Sequence, residues 1–313
     1  VHMLSHNDWD RHKNIMKEIV EISQDAGLEV WIDNWGLGGP PGDKSHFLSY
    51  YPEAHQVYSN GEIDPVRVCL NNENFRKFTK EWIDVVEFTG AKSIFWDEPH
   101  LVGKNMENGK PKIWTCRCET CQKLFEERYG KKMPTEFTSE VEEFRIDTVV
   151  DYFKEVTAYS KNKGMYNAVC LMLGESYGIN LETIDRISGL DTLDNVGSDP
   201  YWLGHKDVNP YQFVYEATRK NLDICNRFNK DHNIWIQCYS TPRGREEEII
   251  YATEAAYDAG ARTILAWGYR GSDANDYRAR NPELTWKVTG DAMGRILNRE
   301  RDANLDIYRK LVK

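Results

Sequence analysis

No apolar run in this chain approaches the roughly 20 residues that cross a bilayer, and no stretch has the charged start, apolar middle and small-residue end of a signal peptide. A membrane partner is therefore not expected, and the expected location is cytoplasmic. The opening Val1-His2-Met3 leads straight into polar sequence and leaves open whether more chain preceded it. Runs of basic residues are also missing. With 40 basic and 50 acidic residues the formal net charge is −10, so no phosphate backbone is matched and nucleic acid is not an expected partner. Low-complexity linkers and internal repeats are absent too. Seven cysteines make an odd number, and three of them crowd into Cys116-Arg117-Cys118-Glu119-Thr120-Cys121, which suits a metal cage better than a disulfide framework. What the chain does have is 40% apolar residues, 10 Trp and 17 Tyr. Such rings can fill a core or stack on the apolar faces of sugar rings.

Short β-rich segments alternate with amphipathic helices along the 313 residues, which is the βαβ rhythm. A fragment at His2 to His6 precedes a helical stretch from Arg11 to Asp25, closed by Gly27. Strand-like segments follow at Glu29 to Asp33, Val66 to Leu70 and Ala91 to Trp96, the last stopped by Asp97-Glu98-Pro99. Beyond the cysteine cluster come Tyr166 to Leu173, Asn195 to Asp199, Asn233 to Tyr239 and Arg262 to Trp267, and then a closing helix from Asn281 to Arg299. Counting the first fragment, eight segments predict a single α/β domain over residues 1–313, a (β/α)8 TIM barrel with its function at the C-terminal strand ends.

That fold sorts the polar residues. Asp33, Asn34 and Trp35 follow the second segment, Asp97, Glu98 and His100 the fourth, and Glu175 the fifth. Asp199, Tyr201 and Trp202 follow the sixth, Gln237, Tyr239 and Ser240 the seventh, and Trp267, Tyr269 and Arg270 the eighth. Carboxylates accept hydrogen bonds from hydroxyls while indoles and phenols stack, so a small, hydroxyl-rich carbohydrate is the expected ligand. His100 and Arg270 add the option of an acidic or sulfated sugar, or of plain solvated surface. No organic cofactor is expected, and the oligomeric state is open.

Several stretches resemble a clan of (β/α)8 glycoside hydrolases and, within it, the family 42 β-galactosidases. Ala26-Gly27-Leu28-Glu29-Val30-Trp31, Gly39-Pro40-Pro41, Tyr51-Pro52-Glu53 and Gly61 are similar to that family between its second and third strands. Arg67-Val68-Cys69-Leu70-Asn71 with Phe75-Arg76 resembles its Cys-Pro-Asn and Tyr-Arg pattern. Trp96-Asp97-Glu98 resembles its Asn-Glu pair, and the cysteine trio with Phe125, Tyr129 and Gly130 follows as it does there. The resemblance covers the first 130 residues or so and then continues only as rhythm.

Carried across residue by residue, the resemblance implies Glu98 as general acid/base and Asp97 as a contact to the sugar's 2-hydroxyl. Asp in place of Asn is one departure. A larger one lies in the seventh segment, where Tyr239 precedes Ser240-Thr241-Pro242 and no carboxylate stands for the family's nucleophile. The second catalytic role thus stays open among Tyr239 as an aryloxide, Glu175 and Asp199. Asp33, Trp35, His100, Tyr201, Trp202, Trp267 and Arg270 are the expected substrate contacts. The resemblance also implies Cys69 as the fourth ligand beside Cys116, Cys118 and Cys121, completing a closed four-thiolate site for structural zinc in the loop region after the fourth strand. Cys170, Cys225 and Cys238 are expected as buried apolar residues. A carbohydrate-binding barrel without turnover, or a sugar lyase or isomerase using the same carboxylates, are the alternatives.

Overall fold

The computed structural model describes residues 9–39, 42–97, 101–171, 180–274 and 276–311. Its chain divides into two compact units, Val1–Asn195 and Val196–Lys313. The first fragment of the expected ring, together with Glu98, His100 and Glu175, lies outside the described residues. Among those described, no helix is long and apolar enough to cross a membrane.

In the first unit, three parallel strands stand in the order β1 (Trp31–Asp33), β4 (Ser93–Asp97) and β7 (Tyr166–Cys170). Asp33 is level with Phe95, and Asp97 with Cys170. Ile94, Phe95 and Trp96 of β4 are all buried, the near-continuous apolar run of a strand covered on both faces. The Trp96 indole is satisfied by Asn167 Oδ1 at 3.0 Å, and Asn167 spends its amide protons on the carbonyls of Thr157 and Thr192. Helix α1 (Trp9–Asp25) precedes β1, the short α2 (Phe47–Tyr50) follows it, and α3 (Glu73–Phe88) starts at Asn72, whose side chain caps the Phe75 amide at 3.0 Å. The long α5 (Ser139–Asn162) is capped in the same way by Thr138.

The third expected strand is corrected here. Ile63–Val68 is a strand, but it pairs antiparallel with β2 (His55–Val57) in a separate two-stranded sheet, which makes it β3. Pro65 has no amide to give a second neighbour, so the segment suits an edge better than a ring. A second hairpin, β5 (Gly103–Glu107) with β6 (Lys110–Trp114), has no counterpart in the sequence reading. Its signal was present in Asn108-Gly109, where both residues take positive φ of 52° and 77°, as a tight primed turn requires. After β6 come α4 (Glu119–Tyr129) and, beyond β7, α6 (Leu181–Ser188).

The second unit holds most of β8 (Asn195–Ser198), followed by β9 (Asp231–Gln237) and β10 (Ile264–Trp267), with β9 and β10 parallel and Gln237 level with Trp267. Helices α7 (Pro210–Phe228), α8 (Glu248–Ala259) and α9 (Pro282–Leu311) alternate with them. Ile234, Ile236, Ala252, Ala255, Ala256, Val288 and Ala292 form its buried core, the alanines letting helix and strand approach closely. The final helix runs twelve residues past the expected end at Arg299. The described residues thus supply three parallel strands in the first unit, beside its two small antiparallel sheets, and three strands in the second, where eight were expected in one ring.

Candidate functional site

The most completely described site is built from the four cysteines. Cys69 lies in the turn before α3, Cys116 follows β6, Cys118 is the N-cap residue of α4, and Cys121 sits in the first turn of α4. All four are buried, and their sulfurs lie within 4.8 Å of one another. Cys69 Sγ is 3.5 Å from both Cys121 Sγ and Cys118 Sγ. That is far beyond the ~2.0 Å of a disulfide, and close to the roughly 3.8 Å edge of a tetrahedron whose metal–sulfur bonds are 2.3 Å. The four therefore fit a single metal ion with no open position.

Electrostatics argue the same way. Without a cation, four crowded buried thiols cannot all ionise. Hydrogen bonds with Cys116, Cys121 and Cys69 hold the Cys118 thiol far below its usual range. The same cluster, with Cys116 foremost, pushes Cys69 and Cys121 well above theirs. A divalent cation bound among them would favour release of the thiol protons. Cys118 also stands where α4 presents its unpaired amides, a favourable place for negative charge.

The surrounding shell was not foreseen. Asn71 donates to Cys121 Sγ at 3.4 Å and to Thr148 Oγ1 at 3.0 Å, orienting one ligand. Arg117, between two ligands, donates to the carbonyls of Met133 and Pro134. The buried Arg145 guanidinium of α5 has burial as the main force lowering its pKa to about 10, with Cys116 and Cys121 acting in the opposite direction.

At the strand ends of the same unit, Asn34 is the organising residue. Its backbone amide donates to the Phe95 carbonyl at 3.2 Å, and its side-chain carbonyl accepts the Asp97 amide at 2.6 Å. Asp33 and Asp97 consequently stand on neighbouring strand ends. Asp33 accepts the Trp35 amide at 2.8 Å, yet burial outweighs this and pushes its carboxyl up to about 6. Trp35 is half-buried beside it.

The second unit gathers aromatics about Tyr239. Its ring meets Tyr201 at 5.1 Å, Trp267 at 5.5 Å and Tyr277 at 5.9 Å, all edge to face. Its amide and that of Cys238 both donate to the Trp267 carbonyl, and the Trp267–Gly268 peptide is cis. Tyr277 belongs to a loop with no strand pattern, which is why sequence reasoning passed over it. Arg270 pairs with Asp273 at 3.3 Å, and Asp199, just past β8, is half-buried.

Trp202 corrects the sequence reading. Its ring is wholly buried in the second unit's core, and its indole donates to Glu248 Oε2 at 2.7 Å, so in this structure it offers no face to a ligand. Cys225 and Cys238 are buried as expected, and so is Cys170 in the first unit.

No family model matches the chain, and no curated protein matches it by sequence. Solved structures do match by shape. A β-galactosidase from the psychrophilic Marinomonas ef1 superposes with a TM-score of 0.64 at 12% identity, over 92% of this chain and 52% of its own. The E323A catalytic mutant of Gan42B, a GH42 β-galactosidase from G. stearothermophilus, gives 0.58 at 12% identity over 95% and 57%. The PgaB (BpsB) glycoside hydrolase domain from Bordetella bronchiseptica gives 0.52 at 13% identity over 86% and 77%. This chain spans a little over half the length of the two β-galactosidases. At these identities the likeness is one of fold: the chain is an α/β protein whose fold is distantly similar to that of the family 42 β-galactosidases.

Proposed function

We propose that the chain is a carbohydrate-active enzyme that cleaves a glycosidic bond of a small saccharide, with Glu98 as its general acid/base. The observation that carries this reading is the clasped strand end of β4, where Asn34 fixes Asp97 directly before Glu98, in a fold shared with β-galactosidases. Glycoside cleavage needs a proton donor at the leaving oxygen. A carboxyl that follows another carboxyl directly in the chain is, by like-charge repulsion, suited to staying protonated near neutral pH.

Asp97, Asp33, Trp35, His100 and Arg270 are assigned to the sugar's hydroxyls and faces, and Tyr201 and Trp267 to an aromatic wall around Tyr239. For the second role, Tyr239, Asp199 and Glu175 remain the candidates. The four cysteines are assigned a structural zinc, since four thiolates form a closed sphere and leave no place for a reacting water. When bound, zinc would hold the turn before α3 to the start of α4.

One feature favours a second reading, a carbohydrate-binding barrel without turnover: the seventh segment ends in Gln237, Cys238, Tyr239 and Ser240, with no carboxylate. Glu98→Gln separates the two. On a panel of aryl glycosides, turnover should fall about 10²–10⁴-fold while sugar binding by calorimetry and the circular dichroism spectrum persist. Wild-type binding without any turnover would establish the second reading, and near-normal turnover of the variant would remove Glu98 from its role.

A further inference from the structure

Arg145 poses a problem that the proposed chemistry does not solve. It sits on α5 with 4% of its surface exposed, and among the described residues no carboxylate pairs with it. Its guanidinium donates only to backbone carbonyls, those of Val102 at 3.3 Å and Leu101 at 3.4 Å. The rings of Trp114 and Phe137 lie 5.8 and 5.6 Å away. Carbonyl dipoles and ring faces stabilise a buried cation only in part, and an uncompensated charge in such a place costs several kcal/mol.

The cage offers a compensating charge, because Arg145 holds the Val102 carbonyl and Val102 is bonded to Thr115, the neighbour of Cys116. Four thiolates around one divalent ion leave a net charge of −2, buried like the arginine itself.

The bonds of Arg145 also lead elsewhere. Leu101 and Val102 follow Glu98 by three and four residues, and Val102 exchanges hydrogen bonds with Thr115: its amide donates to Thr115 Oγ1 at 2.8 Å and its carbonyl accepts the Thr115 amide at 2.9 Å. Thr115 is the residue before Cys116 and donates in turn to Gln56. One cation therefore touches the segment beyond the strand end, which is itself bonded to the residue entering the cage.

We propose that Arg145 is the counter-charge of a four-thiolate metal centre and a positioning residue that couples metal occupancy to the Leu101–Val102 segment. The inference rests on the metal site named above, and it reaches beyond it by assigning charge balance and transmission to a residue that is not a ligand. Loss of the metal would free Cys116, the neighbour of Thr115, and through Thr115 loosen the Val102 carbonyl that Arg145 holds.

The test uses the whole protein with zinc or cobalt as the probe. Competition with a chromogenic chelator should show zinc held about 10–100-fold more weakly by Arg145→Met than by the wild type, while Arg145→Lys, which keeps the charge, stays within about threefold. The cobalt-loaded wild type and Arg145→Lys should share the same thiolate-to-metal absorption. Equal zinc affinity in the wild type and Arg145→Met would overturn the counter-charge. In the wild type alone, stripping the metal should speed hydrogen exchange at the Val102 and Thr115 amides at least tenfold while leaving β9 and β10 unchanged, and this arm needs no variant to fold. Unchanged exchange at those two amides would overturn the coupling. A wild type that takes up neither zinc nor cobalt would sink the metal site itself, an outcome distinct from a metal-loaded protein indifferent to residue 145.

Discussion

At the scale of single residues, two positions make demands that a substitution would expose. Gly197 in β8 is one of them. A Cβ placed there would lie 1.9 Å from Asn233 Oδ1 and 2.2 Å from its Cγ, a clash that only displacement of a buried side chain in β9 could relieve. Gly197→Ala should cost at least about 2 kcal/mol, seen as a lower urea midpoint with an unchanged slope. Asp33 gives a pH signature. Its carboxyl is raised in the folded state to about 6 from an ordinary 3.8, so the folded chain binds the proton more tightly than the unfolded one. Its contribution is fully favourable below pH ~4 and is lost as pH rises through 6. Asp33→Asn, which keeps an acceptor for the Trp35 amide, should flatten the pH dependence of the melting temperature between about 4 and 6 and raise it at pH 7.5. Cys69 was legible through the resemblance to the family 42 enzymes, since nothing around it in the chain marks it as the partner of the cysteine trio. Trp202 was misread, because an indole after a strand looks the same whether it faces a ligand or packs; only its bond to Glu248 tells them apart. Arg145 could not have been singled out, since nothing in a helical Phe-Arg-Ile announces a buried cation.

At the scale of elements, the alternation of helix and strand was readable from periodicity and glycine stops, and β1, β4, β7, β8, β9 and β10 fall where that rhythm puts them. Pairing was less legible. Val66-Arg67-Val68 has the composition of a ring strand, but strand propensity says nothing about which neighbour completes the hydrogen bonds, and β2 claims it. The hairpin β5–β6 escaped because its strands are polar: Gly-Lys-Asn-Met-Glu and Lys-Pro-Lys-Ile-Trp carry no apolar alternation. These small sheets lead the chain into the cysteine cage, so the metal should matter to them most. Prolonged chelation should lower the melting temperature by at least about 5 °C and make the four cage thiols reactive toward a thiol reagent, with Cys225 and Cys238 still shielded.

At the scale of the whole molecule, a net charge of −10 and the lack of basic runs predict no measurable retention on a DNA or heparin column at about 0.15 M salt. Retention that falls with salt would show a cationic face that composition averages away. The shared fold covers more than nine-tenths of this chain and little more than half of each β-galactosidase. Fold alone leaves the chemistry to be decided by a handful of side chains at the strand tips. Among these, Asn34 grips β4 twice, once through its main chain and once through its amide side chain. The clasp ties the two strand ends to each other, so under the proposed sugar-binding role a substitution of Asn34 should alter how Asp33 and Asp97 are spaced while leaving both carboxylates in place.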